Sequence, residues 1–451
     1  MKRRKLGTLA LAAAITVLGL ARLTAAAPVR LPHESINPVV GDRIPYTVRQ
    51  LADGTTMIAG SSTDETGAAN LFTLRYDASG NVLSDRQIAL PFGYAALAID
   101  ARGGVFVAVS SDSEDFWVMK YDGLSGRRSW FVAAVYRGAA GMPANPSAIA
   151  VDSKGNLFIT GPAYQASGRY DYATLKMDGL TGSIRWGAKL FDGDGSGDNI
   201  PTALAVDSSG NVAVTGYTNM GSAFHGATLL YDGVTGDRHW GPASFETVGN
   251  GDIPVAVVAS ATASTITVSA YSSGPSGYGY GAMRYDGTTG FRVWSSQTFR
   301  TGGATVPNGL ALDPAGNAYL AAYAPGTSGY TIETVKLTAA SGSRAWGPVR
   351  LGGNAFPVGI TADSRGVVVC GYALNAAGNY DFATVRYDAL RGARVWGPVL
   401  FDGTAGSNFA VAMTCDGRGN LIVTGFSSTG GHYSPATFKY EVGSGKTMWQ
   451  N

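Results

Sequence analysis

At 451 residues, with a formal net charge of only +2 and 15% charged side chains, the chain has no basic field for nucleic acid and no charge excess to draw it to an anionic membrane surface. Its 63 glycines and 10% aromatic residues suit a β-rich fold with many tight turns and exclude a disordered chain, which would be poor in large apolar side chains.

The first segment reads as an export signal. Lys2, Arg3, Arg4 and Lys5 precede the apolar run Leu9 to Leu20, and small residues follow at Thr24, Ala25, Ala26 and Ala27. Residues 1–26 are therefore expected to be removed, leaving 27–451 as a periplasmic or secreted protein. An uncleaved anchor is the alternative, although the apolar run is shorter than the ~20 residues a membrane span needs. No cysteine lies near the cut, so lipid anchoring is not expected. Cys370 and Cys415 are the only cysteines, and the sequence leaves open a disulfide or two buried thiols.

Beyond the signal, internal repetition dominates. One unit runs from Ala148 through the turn Asp152-Ser-Lys-Gly-Asn156, then Tyr170-Asp-Tyr-Ala-Thr-Leu-Lys176-Met-Asp178-Gly-Leu-Thr-Gly182, to Trp186. The opening Asp recurs at Asp53, Asp100, Asp207, Asp313, Asp363 and Asp416, with Ala261 in that place in the fifth unit. Seven units end in a Trp four residues after a Gly: Trp130, Trp186, Trp240, Trp294, Trp346, Trp396 and Trp449, spaced 50 to 56 residues apart. Each unit predicts four short strands, a to d, joined as two hairpins, because Asp opens each turn and Gly supplies its left-handed position. Eight such sheets cannot bury their own faces. Stacking them radially can, so the expected fold is all-β: a single eight-bladed β-propeller of four-stranded antiparallel blades. The chain stops at Asn451 just inside the last strand d, and Ala27-Pro-Val-Arg-Leu31 matches Gly347-Pro-Val-Arg-Leu351. The N-terminal strand is therefore expected to close the last blade.

Tyr231-Asp-Gly-Val-Thr-Gly-Asp-Arg-His-Trp240 and Tyr285 to Trp294 resemble the tryptophan-docking motif of quinoprotein (PQQ-type) propellers. Together with Ala-x-Ala-Val-Asp-Ser-x-Gly-Asn and Tyr-Asp-(Tyr/Phe)-Ala-Thr, the repeat looks like the SBBP-type repeat of exported bacterial propellers. Both resemblances imply the fold; neither implies a chemistry, since propellers host many functions. The PQQ-type cofactor site would need an adjacent-cysteine disulfide and a further Trp. This chain has no Cys-Cys pair, and only Trp117 lies outside the repeat positions.

The a–b and c–d turns are short and uniform, whereas the b–c and d–a connections vary and share the opposite face, where binding is expected. The b–c loops are rich in Tyr, Ser, Gly and Asn, side chains suited to adaptable recognition. Candidate ligand-binding residues are Tyr170, Asp171, His225, Tyr280, Tyr330, Tyr380, Asp381 and Tyr433. Here Asp171, His225, Tyr280 and Asp381 are read as one ring position that varies between repeats. The plainer reading is that the tyrosines pack between blades. Basic residues at Arg75, Lys120, Lys176, Arg284, Lys336, Arg386 and Lys439 are expected to pair with the repeat aspartates. Asp192-Gly-Asp194-Gly-Ser196-Gly-Asp198-Asn199 resembles the first half of a calcium loop, but position twelve is Ala203 rather than the closing acid. Calcium on Asp192, Asp194 and Asp198 is set against a plain loop, and no other cofactor is expected.

The leading expectation is an extracytoplasmic binding or interaction propeller that recognises a glycan or protein through its b–c loop face. One alternative is a polysaccharide-acting lyase or hydrolase using His225 and nearby tyrosines, with imidazole as the acid–base group. A structural cell-surface protein is the other. No nucleic acid and no membrane span after signal removal are expected, and the sequence leaves the oligomeric state open.

Overall fold

A computed structural model describes residues 41–451 apart from 91–95, 111–114, 137–143, 194, 196, 220–222, 246–250, 275–276, 297, 301–302, 304, 402–405 and 417. The expected signal segment and the expected closing strand Ala27–Leu31 lie outside the described residues, as does Asp194. Eight four-stranded units follow one another: Arg43–Ala89, Ala96–Tyr136, Ala148–Phe191, Asn199–Phe245, Gly251–Arg300, Val306–Leu351, Phe356–Phe401 and Asn408–Gln450. Each is antiparallel in the order a-b-c-d, strand d of blade five being split in two. A single parallel pair, Phe224 with Gly251, joins blades four and five.

The turns form for the expected reason. In blade three, Asp152 Oδ1 accepts the N–H groups of Lys154 (2.9 Å) and Asn156 (2.8 Å), and Oδ2 accepts the Asn156 amide (2.7 Å). In blade five Ser260, not Ala261, takes this position. Its N–H bonds Thr265 O at 2.9 Å, and its hydroxyl accepts the Ala263 N–H at 3.0 Å. That turn is one residue longer than its equivalents, which shifts the alignment by one.

Strands b and c are sandwiched between neighbouring blades, so they bury both faces. Leu157–Tyr164 is buried at seven consecutive positions, whereas strand d, at the outer edge, is buried only at Trp186 and Phe191. Blade-to-blade contact is built mainly by the repeated Trp. The indole N–H of Trp240, Trp294, Trp346 and Trp396 donates to Gly287, Ala339, Ala389 and Val442 carbonyls at 2.8–3.1 Å, each in the next blade's c–d turn. The ring lies flat on that turn's glycine; a Cβ at Gly342 would sit 2.4 Å from Trp294. Such contact is open only to Gly, here at φ +67.

The basic residues also work across blades. Lys120 pairs with Asp100 (2.9 Å) and donates to Gly179 O of the next blade (2.8 Å), and Lys439 pairs with Asp416 (2.8 Å). Arg386 and Arg75 pair with Asp363 and Asp53.

The last blade meets the first. Trp449 lies over Gly80, Asn451 Nδ2 donates to Gly80 O at 3.0 Å, and Asp42 Oδ1 accepts the Tyr433 N–H at 2.8 Å. Strand d of blade eight is the four residues Thr447–Gln450, half the length of Arg344–Leu351. Cys370 and Cys415 are free, so the disulfide alternative is not what the structure holds. Cys370 is buried with Sγ 3.1 Å from Met413 Sδ, and burial pushes its thiol up to about 12. Cys415 is exposed, so the pair of buried thiols is not found either.

Candidate functional site: the loop face

Strand pairing fixes which loops share a face. Asn199, at the start of strand a, pairs with Thr218 at the end of b; Tyr172, near the start of c, pairs with Phe191 at the end of d. The d–a and b–c connections therefore open together. Among the described residues no helix is long and apolar enough to cross a membrane.

Beneath this face lies a band of aromatic pairs, one at each b–c corner of blades three to eight. They are Tyr164–Tyr170, Tyr217–Phe224, Tyr271–Tyr278, Tyr323–Tyr330, Tyr372–Tyr380 and Phe426–Tyr433, with ring centroids 4.9–5.5 Å apart. Phe356 and Phe409, at the starts of strands a, bridge neighbouring pairs: Tyr330–Phe356 at 5.3 Å, Tyr380–Phe409 at 5.4 Å and Phe409–Phe426 at 5.3 Å. Mostly edge-on or tilted, these contacts suit the ring quadrupoles and hold the rings in place. Blade one carries Thr63 and Ala69 at the corner, so the band is open there. Its c-strand tyrosines are Tyr170, Tyr278, Tyr330 and Tyr433, half-buried, and Tyr380, buried with its hydroxyl accepting from Asn354 Nδ2 at 2.8 Å. Packing and presentation therefore coexist in the same side chains.

A second repeated feature latches the corners. The N–H of Tyr170, Tyr330, Tyr380 and Tyr433 donates to Asp198 Oδ1, Asn354 Oδ1, Ser407 Oγ and Asp42 Oδ1, respectively, at 2.8–3.1 Å. Each acceptor opens strand a of the following blade. Asp198 is thus occupied as a latch.

The variable ring position falls at Asn70, Asp171, His225, Gly279, Thr331, Asp381 and Ser434 by strand register, with Asp115 preceding strand c in blade two. Tyr280 does not belong to it. Pairing of Ser272 with Gly279 and Tyr271 with Tyr280 turns Tyr280 into the seam between blades five and six, where it is 0% exposed and its hydroxyl donates to Glu333 Oε2 at 3.2 Å. A one-residue register shift reverses the direction of a strand side chain, and the spacing Tyr278-Gly-Tyr280 concealed which tyrosine sat at the corner.

Asp171 is 5% exposed. Burial, then the neighbouring Asp192 carboxylate, pushes its carboxyl up to about 6 against a smaller opposing pull from the Asn199 amide. Asp381 is also buried, but Asn375 Nδ2 serves its Oδ2 at 3.0 Å and Asn408 Nδ2 faces its Oδ1 at 3.3 Å. His225 is half-buried opposite Thr218, and no described carboxylate forms an ion pair with it. The nearest approach to a His–carboxylate pair on this face is one the sequence reading missed: His432 Nδ1 lies 3.5 Å from Asp42 Oδ1 across the ring closure. Among the described residues no group of three or more His, Cys, Asp or Glu side chains is placed to hold a metal ion. On the opposite side, a cavity of about 370 Å³ opens among Thr47, Arg49, Ile99, Thr414 and Cys415, and none of the sequence candidates lines it.

No protein-family model matches the sequence. No curated protein matches it either. Solved structures do. One is the dihydro-heme d1 dehydrogenase NirN (TM-score 0.51, 12% identity, covering 95% of this chain and 76% of that one). Another is a europium-containing methanol dehydrogenase (TM-score 0.50, 12% identity, 90% and 85%). At that identity the likeness shows the fold alone, an all-β propeller.

Proposed function

We propose that the chain is an exported, SBBP-type binding propeller whose loop face recognises a glycan or a protein. The observation that carries this is the band of paired aromatic rings at one face, held by the corner latches and half open to solvent at Tyr170, Tyr330 and Tyr433. Flat rings fixed before binding lose little entropy when a sugar ring or an aliphatic side chain stacks on them. Variation at this position over a rigid ring changes the neighbour from corner to corner: Asp171 and Asp381, His225, Thr331 and Ser434, with Gly279 in blade five.

A polysaccharide and protein-partner panel, read by calorimetry, tests the reading. Tyr330→Ala and Tyr433→Ala are expected to weaken binding tenfold or more while the melting curve stays cooperative. Unchanged affinity in both variants removes the loop face as the site. Turnover of a polysaccharide that disappears in His225→Ala would favour a lyase or hydrolase instead.

A further inference from the structure

At the corner between blades three and four, two buried oxygens have no hydrogen-bond partner among the described residues: Asp171 Oδ1, in a side chain 5% exposed, and Asn199 Oδ1, in one 0% exposed. An oxygen left in this way inside a protein costs its full desolvation, so a ligand or proton is expected to complete it. The Asn199 amide nitrogen fixes the direction of its oxygen. Nδ2 donates to Gly197 O (3.2 Å) and Tyr170 O (3.3 Å), which turns Oδ1 toward the Asp192–Asp198 turn. A Cβ at Gly193 would lie 2.4 Å from that oxygen, and Gly193 and Gly195 both take positive φ, at 52° and 73°. Asp192, next to Gly193 in this turn, is near enough to Asp171 for its carboxylate to push the Asp171 carboxyl up.

We propose that Asp171, Asp192 and Asn199 form a cation site across the seam of blades three and four, taking one oxygen-seeking divalent ion of the calcium class. Two carboxylates and an amide oxygen are the donors such an ion prefers, and these three side chains offer it no soft nitrogen or sulfur ligand. Asp198 Oδ1 takes the Tyr170 N–H, so the three donors proposed here do not rely on it. Arg169 also reaches this turn, its guanidinium bonded to Gly195 O.

Blade seven supplies an internal comparison. Asp381 and Asn408 stand where Asp171 and Asn199 do, yet Asn375 serves the Asp381 oxygen from the b–c turn. In blade three that turn carries Gln165, whose amide is taken by Tyr136 OH (3.0 Å) and Ala163 O (2.9 Å). The aspartate is thus served on both oxygens in blade seven and short of a partner on one in blade three, while the asparagine oxygen, Asn408 Oδ1 or Asn199 Oδ1, is without a hydrogen-bond partner in both.

The full chain titrated with calcium, followed by thermal shift and by terbium luminescence sensitised through Tyr164 and Tyr170, tests the site. The expected result is a melting point several degrees higher in millimolar calcium, with calcium displacing terbium at a dissociation constant of ~10⁻⁴–10⁻³ M. Asp171→Asn and Asp192→Asn each abolish both responses and, by removing like-charge repulsion, melt no lower than the metal-free parent; Asp381→Asn leaves both intact. Absence of a calcium response in the parent, or a response that survives both Asp171→Asn and Asp192→Asn, overturns the proposal. So does a parent that gains stability only on acidification, with no calcium effect: a shared proton then fills the corner.

Discussion

Glu333 is wholly buried at the seam of blades five and six, accepting from Arg350 Nε (2.9 Å) and Nη2 (2.6 Å) and from Tyr280 OH (3.2 Å). The two partners of this ion pair are not equivalent, because the Arg350 side chain is 53% exposed. Arg350→Ala would strand a buried carboxylate, a loss of about 3–5 kcal/mol. Glu333→Ala instead lets the guanidinium return to water and leaves the Tyr280 hydroxyl as the unserved group, about 1–3 kcal/mol. Alanine is also what blades three, four, seven and eight carry in this register, at Ala173, Ala227, Ala383 and Ala436. The double variant should then resemble Glu333→Ala alone, giving a coupling energy equal in size to the Arg350→Ala cost, about 3–5 kcal/mol. Urea unfolding of the four proteins, monitored by circular dichroism, measures the cycle. Equal costs for the two single changes, or simple additivity, would refute the assignment of the penalty to the stranded carboxylate.

Docking and acid stability give two further expectations. Gly342→Ala should cost about 2–4 kcal/mol, combining left-handed strain with the clash against Trp294, whereas Gly378→Ala, at φ +84 with nothing within 4 Å, should cost only about 1 kcal/mol. Matching unfolding midpoints for the pair would show that the indole does not bear on the glycine. Burial works against the Asp416 carboxylate, but Lys439, Asn420 and the turn N–H groups outweigh it and hold it at about 2. A carboxyl held below its unfolded value stabilises the fold above pH ~4, and that contribution is lost as pH falls from ~4 through ~2. Allowing for solvent screening, it amounts to about 1–2 kcal/mol. Asp416→Asn should therefore be less stable than the parent at pH 7 and converge on it near pH 2; parallel curves over that range would remove Asp416 as the cause.

Local patterns carried the architecture. The Asp-to-Gly turns, the Trp four residues after a Gly and the basic residue before each c–d turn are short-range signals repeated every fifty-odd residues, and backbone geometry reads them the same way each time. Chain order also placed Tyr170, Tyr330, Tyr380 and Tyr433 at the corners. The failures lie where one residue of register matters. Tyr280 faces inward because side chains alternate along a strand, and Ser260 replaces Ala261 because its turn is longer.

What only tertiary structure decided is which distant residues meet. Asp171 and Asn199 come from successive blades, Glu333 faces a tyrosine from the blade before it, and His432 reaches Asp42 because the two ends of the chain close the ring. Sequence spacing is blind to such encounters, since the stacking of one sheet on the next, rather than the path of the backbone, sets those distances.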